Sequence, residues 1–167
     1  MKKVLVTGGA GFIGSTLVDK LIERNLEVIV VDNLSTGKEE YINPKAQFFK
    51  GDLNHKTFDG HKHYNTKTKS LEDTTLLHIL KDVDTVFHLA ATPQVQYSIE
   101  NPTDNNNLTS TINILEASRK SGVKRLILSS TSAVYGNPKY TPIDENHPIE
   151  KLSPYGLHKL VGEQYCK

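Results

Sequence analysis

Three glycines set between an apolar run and an amphipathic one constrain this chain more than any other feature. Lys3 to Thr7 (KVLVT) is short, apolar and β-branched, which reads as a buried strand. Gly8, Gly11 and Gly14 follow in a G-x-x-G-x-x-G pattern. From Phe12 to Arg24, the apolar residues Phe12, Ile13, Leu17, Leu21 and Ile22 recur at helical spacing. In a strand–glycine–helix unit, Gly8 permits the tight turn, Gly11 lets a pyrophosphate approach the backbone, and Gly14 lets helix and strand pack closely. The helix start adds free N–H groups and the positive end of a dipole. Glycines alone would equally suit a turn without a ligand. The second strand, Glu27 to Val31, strengthens the case because it ends on Asp32, about 20 residues beyond the loop. A carboxylate there accepts hydrogen bonds from adenosine ribose hydroxyls and repels a 2′-phosphate. No arginine follows Asp32 directly, so NAD is expected rather than NADP.

Three more strands are read at Gln47 to Lys50, Thr85 to Leu89 and Arg125 to Ser129. Helices are read at Leu76 to Leu80, Asn107 to Lys120 and Ser153 to the last residue. The 107–120 helix is expected to pack through Leu108, Ile112, Leu115 and Ala117 or Ser118, with Gly122 as its left-handed C-cap. Ser153 suits an N-cap and Pro154 the first helical position. Strands alternating with helices through short connections predict an α/β fold, a Rossmann-like doubly wound parallel sheet with right-handed crossovers. The polar segment His55 to Ser70 reads as a surface insertion (about 55–70) within one domain, 1–167. His55, His61 and His63 lie there without fixed helical spacing or a cysteine, so they read as a solvated loop and no metal is expected.

Composition narrows the partners. In 167 residues, 20 Lys and Arg face 19 Asp and Glu, so there is no basic excess to neutralise a nucleic acid backbone. No stretch is long and apolar enough to cross a bilayer, so no membrane is expected. Thr7, Gly8, Gly9 and Gly11 break the run after Lys2-Lys3 too early for a secretory signal. The single cysteine, Cys166, has no internal partner, and a cytoplasmic location is expected.

Two further groups carry chemistry. Tyr155 and Lys159 lie four apart on the last helix and so share a face, where an ammonium lowers a phenol's pKa toward general-base range. The alternative is an exposed helical pair. Ser129-Ser130-Thr131-Ser132 put hydroxyls at a strand's carboxyl end, where ligands of open α/β sheets bind, although such residues also cap backbone groups. His88 reads as a packed or hydrogen-bonded histidine, and Tyr135 as structural.

The motifs VTGGAGFIGS, VVDNLSTGK, GDL, VFHLAA, SSTSAVYG and SPYGLHK run in this order from end to end. In them the chain resembles the N-terminal part of the NAD-dependent epimerase/dehydratase family, the extended short-chain dehydrogenase/reductases. Within that family, DNLSTGK, AATPQVQYSIENP and SSTSAVYG are most similar to the UDP-sugar 4-epimerases. The resemblance implies a tightly held NAD, a UDP-hexose substrate, and transient oxidation and re-reduction at C4. It implies that Gly8, Gly11, Phe12 and Ile13, with Gly14 in the same loop, meet the pyrophosphate. Asp32 and Asn33 would take the ribose, Asp52 and Leu53 the adenine, and Leu89, Ala90 and Ala91 the cofactor's middle. Thr131 matches the catalytic hydroxyl, Tyr155 the base, and Lys159 its partner and a holder of the nicotinamide ribose.

Ser132-Ala133 stand where related 4,6-dehydratases carry Asp-Glu, which argues against that subclass. Ser110 and His158 replace a glycine and a small residue. Measured against the family, the sheet is expected to be truncated after the fifth strand and the Tyr-Lys helix, with the C-terminal substrate-binding region absent. A second expectation therefore stands beside the enzyme: an NAD-binding fragment or assembly partner with no independent turnover. The family also implies a homodimer through helices 107–120 and 153–167.

Overall fold

The two most apolar runs take the centre of the sheet. β1 (Lys3–Thr7) pairs in parallel with β2 (Glu27–Asp32) on one side and with β6 (Thr85–His88) on the other. In this computed structural model, residues 2–54, 62–65, 70–73, 76–103, 106–150 and 152–167 are described. The remaining strands are β3 (Gln47–Lys50), β4 (Lys62–Asn65), β5 (Ser70–Asp73) and β7 (Arg125–Leu128). The helices are α1 (Phe12–Glu23), α2 (Leu76–Ile79), α3 (Val95–Glu100), α4 (Asn107–Ser121) and α5 (Pro154–Tyr165).

Sheet order is β5-β4-β3-β2-β1-β6-β7. The five strands β3-β2-β1-β6-β7 are all parallel, as the sequence predicts. The chain steps outward from β1 to β3, then returns to β6 on β1's other side. This reversal opens a crevice at the carboxyl ends of β1 and β6.

Central strands buried on both faces explain the near-continuous apolar runs. Alternate residues serve opposite cores, since side chains along a strand point to alternate faces. Val4, Val6, Val28, Val30 and Phe48 pack with Val18 and Leu21 of α1. Leu5, Ile29, Val31 and Phe49 pack with Leu76 and Ile79 of α2 and Ile114 of α4.

Three features depart from the sequence reading. The segment expected to be a surface insertion carries β4, and β5 begins at its last residue; the two form an antiparallel pair added to the outer edge of β3 through Phe49–Asn65 and Lys50–Tyr64. Backbone groups on an open edge accept another strand whatever its side-chain pattern, and polar KHYN shows no apolar alternation to announce it. His55 and His61 lie outside the described residues.

Second, α4 packs through Ser110, Thr111, Ile114, Ala117 and Ser118, while Leu108, Ile112 and Leu115 are only half-buried. Its inward face is small and polar because it must approach both α5, where Gly162 meets Thr111, and a buried histidine in β6. Third, α3 has no apolar signature: Val95 and Ile99 are exposed and Ser98 is fully buried. The caps are as expected. Gly122 is left-handed at φ 72°, and Ser153 Oγ accepts from Gly156 N at 3.1 Å.

Candidate functional site

The glycine loop folds around its own backbone. Gly8 has φ +72° and donates its N–H to Val31 O at 2.8 Å, and an added Cβ would lie 2.7 Å from Ala90 N. A Cβ on Gly14 would run into the Gly8 carbonyl oxygen and lie 2.8 Å from Gly9 Cα. Gly14 therefore lets α1 pack against the loop, a refinement of the expected helix–strand contact. Gly11 differs, because the nearest atom to its Cβ would be Gly8 O at 3.3 Å. It is the N-cap of α1 and provides no side-chain cap, so the first-turn N–H groups are left to another partner. Phe12 and Ile13, expected among the helix's periodic apolar residues, are instead 89% and 64% exposed beside the cavity.

Asp32 closes the loop from below. Its Oδ2 accepts from Ala10 N at 2.9 Å and its Oδ1 from Leu34 N at 2.8 Å. One carboxylate thus ties the glycine loop to the 33–37 turn, which Lys38 N bonds back onto Ala10 O at 3.1 Å. Further round, Asn33 Nδ2 donates to Asp52 Oδ2 at 3.2 Å, and Asp52 Oδ1 accepts from Asn54 N at 2.8 Å. Asn113 of α4 holds Leu53 O at 2.7 Å.

On the far side, α5 brings Tyr155 and Lys159 into the interior, at 8% and 4% exposure. The exposed-pair alternative is thereby excluded. Lys159 Nζ donates to Ser129 O at 2.8 Å, and burial pushes its pKa down to about 8. The Tyr155 N–H donates to Ser98 Oγ at 3.2 Å, so α3 caps the helix that carries the tyrosine. His88 is fully buried between Thr7 and Thr111, and burial, aided by the Lys159 charge, holds its pKa at about 3. It is a hydrogen-bonded core histidine, as its strand-end position suggests. Tyr135 packs edge-on to His147, with ring centroids 5.5 Å apart, away from the cavity.

All these pieces meet in one cavity of about 360 Å³. Every residue expected to hold the cofactor lines it: the glycine loop with Phe12 and Ile13, Asp32, Asn33, Asp52, Leu53, Leu89 to Ala91, Tyr155 and Lys159. Thr131 does not line it. The threonine caps the short 3-10 turn Ser132–Val134, its Oγ1 accepting from Ala133 N at 3.2 Å, and the strand end meets the wall through Ser129 and Ser130. Ser130 Oγ is hydrogen-bonded to Glu163 Oε1. Sequence reasoning missed Ser35, Thr36, Asn54, Thr92 and Asn107 in the wall, although Ser35 and Thr36 follow Asp32 within DNLSTGK. Ser110, at a position noted as a departure, also reaches the cavity.

The lining fits a dinucleotide. Lys159 is the one cation among the described lining residues, so an anionic bridge would be met by backbone N–H groups and the α1 dipole. Fold and cavity together define a doubly wound, nucleotide-binding α/β domain with a tyrosine–lysine pair at its carboxyl edge.

Comparison with known proteins sharpens the class. The model of the NAD dependent epimerase/dehydratase family matches residues 4–167, and the chain belongs to that family. A protein of Methanocaldococcus jannaschii is 48% identical over 167 residues, covering 98% of this chain and 50% of its own length. The Thermotoga maritima UDP-glucose 4-epimerase, solved with UDP-glucose, superposes with a TM-score of 0.83 at 39% identity, over 98% of this chain and 49% of that one. The Thermus thermophilus UDP-glucose 4-epimerase complex with NAD gives 0.81 at 37% identity, over 98% and 49%. The chain spans about half the length of the relatives it matches. Among the described residues, no helix is long and apolar enough to cross a membrane.

Proposed function

We propose that residues 1–167 form one domain that binds NAD in this cavity and serves as the cofactor-binding part of a UDP-sugar 4-epimerase. The observation that carries the reading is the meeting of the glycine loop, Asp32, Tyr155 and Lys159 in a single cavity. Similarity to epimerases solved with NAD and with UDP-glucose supports it.

When bound, NAD supplies reversible hydride acceptance and return at the sugar's C4. The chain's own residues bind, orient and handle the proton. First-turn N–H groups of α1 and the open side of Gly11 receive the pyrophosphate. Each Asp32 oxygen retains a lone pair after accepting one backbone N–H, and with Asn33 it takes the ribose hydroxyls. Asp52 and Leu53 flank the adenine, and Leu89, Ala90 and Ala91 the cofactor's middle. Tyr155 Oη takes the proton of the 4-hydroxyl and later returns it. Lys159, one helical turn on, favours the phenolate by its charge. Thr131 stands outside the cavity wall and caps Ala133 N; its proton is left free by that bond, and only the family resemblance assigns it to the same sugar oxygen. A cytoplasmic location and a homodimer through α4 and α5, which pack side by side, belong to this reading.

Calorimetric titration with NAD and UDP-glucose, together with an assay of UDP-glucose to UDP-galactose conversion, tests it. NAD binding and conversion that is lost in Tyr155→Phe are expected, and absence of NAD binding overturns the reading. A second reading is NAD binding by these residues without independent turnover. NAD binding with neither UDP-glucose binding nor conversion would select it.

A further inference from the structure

We propose that His88 is a positioning residue: held in a single tautomer, it fixes the 89–92 segment that walls the cavity. The functional consequence rests on reading that cavity as the NAD site. A closed circuit of hydrogen bonds starts and ends on this segment. Ala90 N–H donates to Thr7 Oγ1 at 3.3 Å, and that hydroxyl lies 2.7 Å from His88 Nδ1. On the ring's other side, Nε2 lies 3.2 Å from Thr111 Oγ1, which donates its proton to Asn107 O at 2.9 Å. The Asn107 side chain then returns to the wall, its Oδ1 accepting from Thr92 N at 2.7 Å and its Nδ2 donating to Thr92 O at 3.0 Å.

The proposed directions around the circuit follow from the Thr111 hydroxyl. The single Thr111 proton is committed to Asn107 O, so its oxygen accepts, and Nε2 carries the ring hydrogen. Nδ1 is then an acceptor, and Thr7 donates to it while accepting from Ala90. Thr7 and His88 are fully buried, Thr111 is 3% exposed, and none of the three lines the cavity, so solvent does not replace a lost bond at the ring. Residues from β1, β6 and α4 thereby grip two backbone positions of one loop.

The test pairs amide hydrogen exchange at Ala90 and Thr92 with NAD titration, in the full chain and in His88→Phe, His88→Gln and Thr111→Val. His88→Phe and Thr111→Val are expected to exchange both amides, and to release NAD, about tenfold more readily. His88→Gln supplies one donor and one acceptor and is expected to stay within about threefold of the parent. A side-chain proton–nitrogen spectrum should place the His88 hydrogen on Nε2. Unchanged exchange in the folded variants, or a hydrogen on Nδ1, overturns the proposal even if NAD binds. Faster exchange in a chain that never binds NAD would leave the positioning role standing and overturn the cofactor reading instead. If His88→Phe does not fold, Thr111→Val decides.

Discussion

The Tyr155 backbone N–H donates to Ser98 Oγ at 3.2 Å, a bond between residues 57 apart in sequence. With Ser153 Oγ accepting from Gly156 N and Pro154 lacking an N–H, it completes the capping of the first turn of α5. The tyrosine's place in the cavity therefore depends on a serine in another helix.

Ser98→Ala should leave the Tyr155 N–H buried without a partner and cost about 1–2 kcal/mol. Urea unfolding measures the loss directly. Faster exchange of the Tyr155 amide would locate it, whereas parental exchange would show that the cap does not hold the helix.

Gly11 and Gly14 should separate binding from folding. Gly11→Ala adds a methyl 3.3 Å from its nearest neighbour, so stability should stay within about 1 kcal/mol of the parent. The methyl occupies the side proposed for the pyrophosphate, and calorimetry should show NAD affinity reduced by about tenfold or more. Gly14→Ala forces a Cβ into the Gly8 carbonyl and should cost about 3 kcal/mol or more. The reverse order would show that the two roles are misassigned.

Asp32→Asn keeps the shape but cannot accept two backbone N–H groups, because one amide position is a donor facing a donor. A loss of about 1–3 kcal/mol in stability is expected, together with weaker NAD binding. Chemical denaturation and NAD titration of the same sample check both parts.

Lys159 gives a pH dependence of definite sign. Its folded pKa of about 8 lies below the usual 10.5, so from pH 8 to 10.5 the unfolded chain binds more protons and stability rises with pH. Below about pH 8 both states are charged and the full burial penalty, about 3 kcal/mol at most, is present. Lys159→Met removes that penalty but leaves Ser129 O unpartnered, so a net gain of about 1 kcal/mol is expected at pH 7. The difference should shrink as pH rises toward 10. Urea titrations at pH 7 and 10 measure it, and a difference independent of pH would show that Lys159 does not carry the penalty.

Features written in local chemistry were legible in the amino-acid order. Gly8, the β-branched runs of β1 and β2, Asp32 at a strand end and the Ser153-Pro154 start of α5 each announce themselves within a few residues. Their backbone angle, burial or cap is set locally, and the alternation of strands and helices then restricts the topology. The β4–β5 pair left no such mark, because an open strand edge recruits backbone and not a side-chain pattern. Thr131 is similar: the sequence supplies a hydroxyl at the strand end, and only the turn that follows decides that it caps Ala133 N.

By itself, then, the sequence determined the fold class, the cofactor-type loop and most of the residues around the cavity. Tertiary structure alone decided how these residues are held: Ser98 under Tyr155, Asn107 against Thr92, and Thr7 and Thr111 on the two nitrogens of His88. Such contacts join residues 15 to 81 positions apart, and the direction of each hydrogen bond depends on what the next group has already donated. No local periodicity carries that information; it exists only once the strands and helices have been brought together.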